Sequence, residues 1–263
     1  MKRIFLAAAV VAAVAGPVSA ADLIADVPIV EVDEAMFDWT GLYIGAQGSM
    51  AWGTVRADEA YCVIVDMCND TPGTRYFSEP DISGWGLGAH IGYNHQFDGF
   101  VLGAESDINW SGVEGTAGFT FHDGLDGEDY DGREGESTSF DLLWEGSTRV
   151  KVGVAVDRFM PYLTAGIAYG QAQLDTHRIY GEEEDEEDPY RELDFSHPLN
   201  LVGYTVGIGG AYAVTDDVIL RAEARYTEYG ETRSTDQVPD DGEQIIVTGP
   251  KLFSVQGGIS FKF

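Results

Sequence analysis

Charged side chains recur at alternate positions in several otherwise apolar segments. The acids and bases among them could form ion pairs. In segment 103–110, for example, Glu105 and Asp107 alternate with Ala104 and Ile108. Successive side chains of a strand point to opposite faces, so these charges would share one face. The complete set comprises Glu105, Asp107, Glu145, Arg149, Lys151, Arg221, Glu223 and Arg225.

The equal number of acids and bases in this set predicts an ion-pair network in the interior of a narrow barrel. An isolated buried charge would cost several kcal/mol, whereas paired and hydrogen-bonded charges can be retained. The interior of an eight-stranded barrel is only wide enough for side chains to fill it. We therefore expect a structural plug of ion pairs, with a gated, narrow polar passage as the alternative, and no large diffusion pore.

The histidines do not form a pattern that indicates catalysis. They are scattered along the chain, and no order of serine, histidine and acid can be assigned to them. We therefore expect that the protein is not an enzyme and that it has no catalytic residues. The histidines are His90, His95, His122, His177 and His197.

Cys62 and Cys68 lie close together in one polar connection. In an oxidising compartment such a pair favours a local disulfide over free thiols. A zinc site would need two more soft ligands nearby, and the sequence offers none. The loop 123–136 also fails the spacing of an EF-hand, so we expect no metal site and no cofactor.

The elements that position the charged set are predicted to be amphipathic strands. The segment 251–263 reads K-L-F-S-V-Q-G-G-I-S-F-K-F, with Phe253, Val255, Ile259, Phe261 and Phe263 on one face. Similar alternation recurs about eight times, and no helical segment remains to cover the apolar faces. These faces are therefore expected to contact lipid.

The fold class that follows is all-β, an eight-stranded antiparallel transmembrane up-and-down barrel. Leu142 and Trp144 are assigned to the lipid face of the fourth strand. Connections 98–99, 157–159 and 213–217 are short, whereas 53–81, 111–138, 172–197 and 230–247 are long. The predicted strands cover about 39–52, 82–97, 100–110, 140–156, 161–171, 199–212, 218–226 and 251–263.

The first residues predict export of the chain. Lys2 and Arg3 precede an apolar run and the small residues 18–20, which is typical of a signal peptide cut after Ala20. The apolar run is too short to span a bilayer. Residues 21–38 are interpreted as an acidic periplasmic tether, and the barrel domain is assigned to residues 39–263.

The chain is strongly acidic, with a formal net charge of −30. This charge makes nucleic acid an improbable partner. The long connections hold most of the acids, and residues 182–188 are acidic without interruption. The simplest interpretation of these acidic connections is a solvated surface. The functional alternative is that they bind divalent cations or a basic partner.

Several ordered motifs resemble the small porin-family, OmpA-like outer-membrane β-barrel proteins of Gram-negative bacteria. They include W-T-G-L-Y-I-G-A-Q-G-S-M-A-W-G at 39–53, G-A-E-S-D-I-N-W-S at 103–111 and R-F-M-P-Y-L-T-A-G-I-A-Y-G at 158–170. The segment 202–217 and the terminal G-G-I-S-F-K-F extend the resemblance, which covers residues 39–263. The long connections match no pattern of the family.

The resemblance implies a cell outer membrane location, with lipid and lipopolysaccharide around the barrel. It also implies that Ile259, Phe261 and Phe263 form a signal read by the barrel-assembly machinery. Short turns and both termini are expected in the periplasm, with the four long acidic loops extracellular. The expected role is structural and surface-exposed; a narrow porin-like channel and a loop-mediated adhesin or ligand-binding protein are the alternatives.

Overall fold

The computed structural model describes residues 37–60, 75–78, 81–122, 134–180, 191–235 and 244–263. The predicted signal peptide, most of the predicted tether, the Cys62–Cys68 pair and the acidic run 182–188 lie outside these residues. Among the described residues, no helix has the length and apolar character needed to cross a membrane.

The described residues form eight long strands and two short ones. Each long strand alternates apolar and small or polar side chains, which is the pattern of a sheet with two different faces. The strands are β1 (Gly41–Ala60), β2 (Arg75–Ser78), β3 (Asp81–Phe97), β4 (Phe100–His122), β5 (Glu134–Val154), β6 (Phe159–Tyr180), β7 (Arg191–Ala213), β8 (Val218–Tyr229), β9 (Thr232–Thr235) and β10 (Gln244–Lys262).

The eight long strands close into an antiparallel barrel. Their order is β1, β3, β4, β5, β6, β7, β8 and β10, and β10 pairs with β1 to complete the ring. The two short strands extend this sheet outside the ring, where β2 pairs with β1 and β9 pairs with β10. The predicted eight-stranded up-and-down barrel is therefore confirmed.

The three predicted short turns join strands at one end of the barrel. Asp98 and Asp157 occupy the first turn positions of their hairpins with φ of 52° and 51°, a conformation that aspartate tolerates better than most residues. At the second turn, Val156 and Phe159 exchange backbone hydrogen bonds of 2.8 and 3.0 Å. The third turn spans residues 214–217. We call this end of the barrel the turn end, and the opposite end the loop end.

The outer face of the barrel is apolar and carries aromatic side chains at two levels. On β4, Trp110 lies about midway along the strand and Phe100 lies ten positions earlier, at the turn end. Ten residues of a strand tilted by about 40° rise about 25 Å, which is the height of the apolar band of outer-membrane barrels. Trp85 and Phe97 repeat this arrangement on β3.

The strands continue well beyond the loop-end aromatic level, and the predicted strand boundaries were wrong there. β6 extends to Tyr180 and pairs with β7 from Arg191 onward, although 172–197 was predicted as a connection. β4 and β5 pair as far as His122 and Glu134. The apolar alternation of the sequence weakens in these extensions, while the backbone pairing of the hairpins continues.

A β-bulge reverses the predicted orientation of Leu142. The register between β4 and β5 shifts between Trp110 and Val113, and β5 shifts against β6 between Leu142 and Trp144. Bulges place an extra residue in a strand and so invert the alternation. Leu142 therefore points into the lumen and is 1% exposed, whereas Leu143 is 44% exposed. Its assignment to the lipid face was wrong.

This orientation gives a first testable prediction. Leu142→Ala is expected to lower the free energy of unfolding by about 2–5 kcal/mol, because it leaves a cavity in packed side chains. Leu143→Ala removes the same atoms from an exposed position on the outer face and is expected to cost clearly less, because it leaves no cavity among packed side chains. Urea titration of both variants in lipid vesicles measures the difference. Equal losses would contradict the inward position of Leu142.

Candidate functional site

The interior of the barrel consists of three layers of side chains. An apolar cluster fills the turn end, a charged and polar layer fills the middle, and a second apolar cluster fills the loop end. The turn-end cluster is Phe37, Trp39, Val101, Ala155, Met160, Tyr162, Ala211, Ala213 and Ile219. The loop-end cluster is Ala51, Val55, Ile82, Val113, Phe140, Leu142, Ala168, Ala172, Leu174, Leu199, Leu201, Tyr229 and Leu252.

Arg149 lies at the centre of the middle layer, which we call the charge layer. Its Nη2 lies 2.6 Å from Glu105 Oε1 and 2.7 Å from Asp107 Oδ2, and its Nη1 contacts Glu223 Oε1. All four side chains are fully buried. The planar fork of a guanidinium suits several carboxylates at once, and charge-assisted hydrogen bonds of this kind are strong. Arg149 therefore joins strands β4, β5 and β8 across the lumen.

The three other bases surround this centre. Lys151 Nζ lies 2.7 Å from Glu105 Oε2, and Arg221 Nη1 lies 2.6 Å from the same oxygen. Arg225 contacts Asp107 Oδ2 at 3.2 Å and Glu223 Oε1 at 3.1 Å. The structure thus brings seven of the eight sequence-predicted charges together in one connected cluster.

Glu145 is the predicted charge that the structure places apart from this cluster. It lies on the loop side of the charge layer, where Tyr229 Oη donates a hydrogen bond to its Oε2 at 3.2 Å. Among the described residues, it forms no ion pair. Strand alternation puts Glu145 on the inner face, but six positions separate it from Lys151 along β5, or about 20 Å.

Neutral polar side chains complete the hydrogen bonds of the buried carboxylates. Tyr43 Oη donates to Glu105 Oε2 at 2.8 Å, and Ser147 Oγ donates to Asp107 Oδ2 at 2.8 Å. Gln256 Nε2 donates to Glu223 Oε1 at 3.0 Å. The sequence-based network did not include them, although each stands at an inward position of its strand. The same alternation that selected the charges could have found them.

The turn end is closed by Phe37 and Trp39, which precede β1. Trp39 is completely buried; its backbone N–H donates to Gln96 Oε1 at 2.8 Å and its Nε1 to the Asp157 carbonyl at 3.2 Å. The Phe37 ring packs edge-on against Trp39, with centroids 4.9 Å apart. Phe37 lies outside the predicted strands and Trp39 is the first residue of the predicted strand 39–52, so alternation did not indicate that both close the lumen.

We call Phe37 and Trp39 the stopper, and contacts from two surrounding elements hold it in place. Lys262 Nζ lies 4.5 Å from the centroid of the Phe37 ring and donates to the Asp38 carbonyl. The Arg158 guanidinium lies 5.7 Å from the same ring. The Thr40 N–H donates to Asp38 Oδ1 at 2.8 Å, which holds the pKa of Asp38 below its ordinary value.

His90 forms a serine–histidine pair inside the lumen. Its Nε2 lies 2.7 Å from Ser260 Oγ. The approach is possible because Gly45 faces the ring: a Cβ there would lie 2.5 Å from His90 Nε2. A hydrolytic triad needs an acid on the other ring nitrogen, but among the described residues His90 Nδ1 has no hydrogen-bond partner. The pair therefore packs in the lumen, without the third member of a hydrolytic triad among the described residues.

The residues of the predicted assembly signal lie on the outer face of β10. Ile259, Phe261 and Phe263 are all exposed, and the rings of Phe261 and Phe263 stack edge to face with centroids 5.1 Å apart. The Phe263 backbone N–H donates to the Leu42 carbonyl at 2.8 Å. The last residue is thus tied to the first strand at the closing seam of the barrel.

Comparisons with known proteins agree with this architecture. A family model described as outer membrane protein beta-barrel domain matches residues 6–261. The 31 kDa outer-membrane immunogenic protein of Brucella melitensis is 27% identical over 271 residues, covering 100% of both chains. The 22 kDa outer membrane protein of Rhizobium leguminosarum is 28% identical and covers 86% of this chain and 78% of its own length.

A similar solved structure is the outer membrane protein OprG from Pseudomonas aeruginosa, with 12% identity and a TM-score of 0.43 over 86% of this chain and 98% of that one. The family match extends over nearly the whole chain and includes every strand of the barrel. The chain therefore belongs to the outer membrane protein beta-barrel domain family, and it is an outer-membrane β-barrel protein.

Proposed function

We propose that this protein is a closed, OmpA-like structural barrel that exposes its long hairpins at the cell surface. The observation that carries the proposal is the buried contact of Arg149 with Glu105, Asp107 and Glu223, which crosses the lumen between two apolar layers. Ions would have to break these pairs and pass both apolar layers. The lumen thus supports the plug interpretation over the narrow polar passage.

The proposed orientation places the loop end outside and both termini in the periplasm. Outer-membrane barrels have short periplasmic turns and longer extracellular loops. Here the three short turns and Phe263 lie at one end, together with Phe37, and the extended hairpins rise from the other. Relatives that are named immunogenic outer-membrane proteins support surface exposure of such hairpins.

Binding at the loop end is a second candidate function, because the outer faces of the strand extensions are acidic. Glu114 stands directly opposite Asp141 on the neighbouring strand, and Asp175 lies on the next one. Like charges placed opposite each other repel, and a cationic partner would reduce the repulsion between these carboxylates. A basic protein segment or divalent cations bridging to lipopolysaccharide would be suitable partners. We propose no enzymatic activity.

An epitope-insertion experiment on intact cells tests the orientation. One variant carries a short epitope within residues 182–188, and its matched control carries the same epitope at the Asp98–Gly99 turn. We expect antibody to label the first variant on intact cells and the second only after the outer membrane is opened. Labelling of the Asp98–Gly99 epitope on intact cells would overturn the proposed orientation.

The exposed carboxy-terminal residue gives a prediction about assembly. Phe263→Ser is expected to lower the amount of folded barrel in the outer membrane severalfold, since we propose that the barrel-assembly machinery reads this residue. Phe253→Ser changes another outward aromatic residue of β10 and serves as the control. Heat-modifiability on gels reports the folded fraction. Wild-type levels of the Phe263→Ser protein would contradict the prediction.

A further inference from the structure

A small cavity lies between the turn-end stopper and the charge layer. Its volume is about 20 Å³, which is room for one water-sized particle. Trp39 lines it toward the turn end, and Lys151 and Arg221 line it from the charge layer. Tyr162 and Ser260 contribute hydroxyl groups to its wall.

Three hydrogen-bond donors around the cavity are not used by the charge layer. Lys151 Nζ donates to Tyr43 Oη at 2.8 Å and to Glu105 at 2.7 Å, so one of its three N–H groups remains. Among the described residues, Arg221 Nε has no hydrogen-bond partner, and Tyr162 Oη approaches the Glu223 carboxylate without forming a hydrogen bond of ordinary geometry. Both side chains are more than nine-tenths buried. A buried donor without a partner costs about 1–3 kcal/mol, so a bound acceptor would be favoured.

The charges around the cavity also favour a negative ligand. Glu105 is shared by the three bases Arg149, Lys151 and Arg221. Glu145, the fourth acid, stands on the loop side beside Tyr229, where its charge acts on Arg225. It lies about 20 Å from Lys151 along β5. On the turn side of the layer, Lys151 and Arg221 therefore share the single carboxylate of Glu105 with Arg149.

We propose that this cavity is a binding site for a small monatomic anion, with chloride as the physiological ligand. Lys151, Arg221 and Tyr162 would supply the donors, and the anion would lie beside the two bases that share Glu105. A monatomic ion suits a cavity with room for one water-sized particle. Trp39 lines the site toward the turn end, and a bound anion would stabilise the plug. The site is independent of the proposed surface role.

Anomalous diffraction from crystals grown in sodium bromide tests the proposal with the wild-type protein. We expect one anomalous peak in the lumen, within hydrogen-bond distance of Lys151 Nζ and Tyr162 Oη. Density that refines as water and carries no anomalous signal would overturn the proposal, because it would show that a neutral ligand satisfies the donors.

Thermal unfolding in chloride and in gluconate at matched ionic strength provides a second test. We expect a higher and saturable Tm in chloride or bromide than in gluconate. Tyr162→Phe should raise the half-saturating halide concentration about tenfold, as expected for loss of one hydrogen bond to a charged group. Tyr169→Phe removes a hydroxyl from the outer face and should leave it unchanged. Equal Tm values in chloride and gluconate would contradict the site.

Discussion

Arg149→Met is expected to lower the free energy of unfolding by about 3–5 kcal/mol, which is the usual cost of removing one partner from a buried ionic cluster. Arg149 contacts Glu105 and Asp107 at 2.6 and 2.7 Å and also contacts Glu223. All three carboxylates are buried, so water cannot replace the lost guanidinium. The methionine fills much of the volume, and the loss therefore reports charge rather than packing.

The matched control for this prediction is Arg158→Met. Arg158 pairs with Asp216 at 2.9 Å at the turn end, with side-chain exposures of 41% and 83%. Exposed ion pairs contribute about 0–1 kcal/mol, so this variant should be close to wild type. Urea titration in lipid vesicles compares the two. Similar stabilities for both variants would show that the charge layer does not hold the barrel together.

Trp39→Ala is expected to lower the free energy of unfolding by about 3–5 kcal/mol, because it leaves a large cavity in the turn-end cluster. Trp39 is fully buried, and the substitution also removes its hydrogen bond to the Asp157 carbonyl. The stability loss should appear in urea titration, and tryptophan fluorescence should lose its most buried component.

Trp110→Ala is the control for this substitution, since Trp110 is 65% exposed on the outer face. It removes the same side chain without opening a cavity in the lumen, so the loss of stability should be clearly smaller. Equal losses would mean that Phe37 and Trp39 do not form a packed stopper. A Trp39→Ala protein as stable as the wild type would show directly that Trp39 does not contribute to a packed stopper.

The sequence was sufficient to predict the barrel and most of its register. Glu105 and Asp107 alternate with apolar residues, and a shift by one position would put both carboxylates into lipid. Short turns at Asp98 and Asp157 then fixed the hairpins on either side. Seven of the predicted charges meet in the lumen because inward positions of neighbouring strands come to the same level once the register is set.

Features that depend on local departures from alternation could not be predicted. The bulge beside Leu143 inverts the face of Leu142, and no residue type there signals the extra position. Phe37 and Trp39 enter the lumen before β1 begins at Gly41, and periodicity carries no information for Phe37, which lies outside the predicted strands. Glu145 shares the inner face with Lys151, but alternation identifies a face and does not give the height of a residue along the barrel.

Single-channel recording of the wild-type barrel in planar lipid bilayers is the most direct test of the closed lumen. Among the described residues, three stacked layers of side chains occupy the lumen, and Arg149 bridges three carboxylates in the middle layer. We therefore predict silent bilayers after confirmed insertion of the protein. Large, stable and reproducible conductance steps from the wild type would contradict this account.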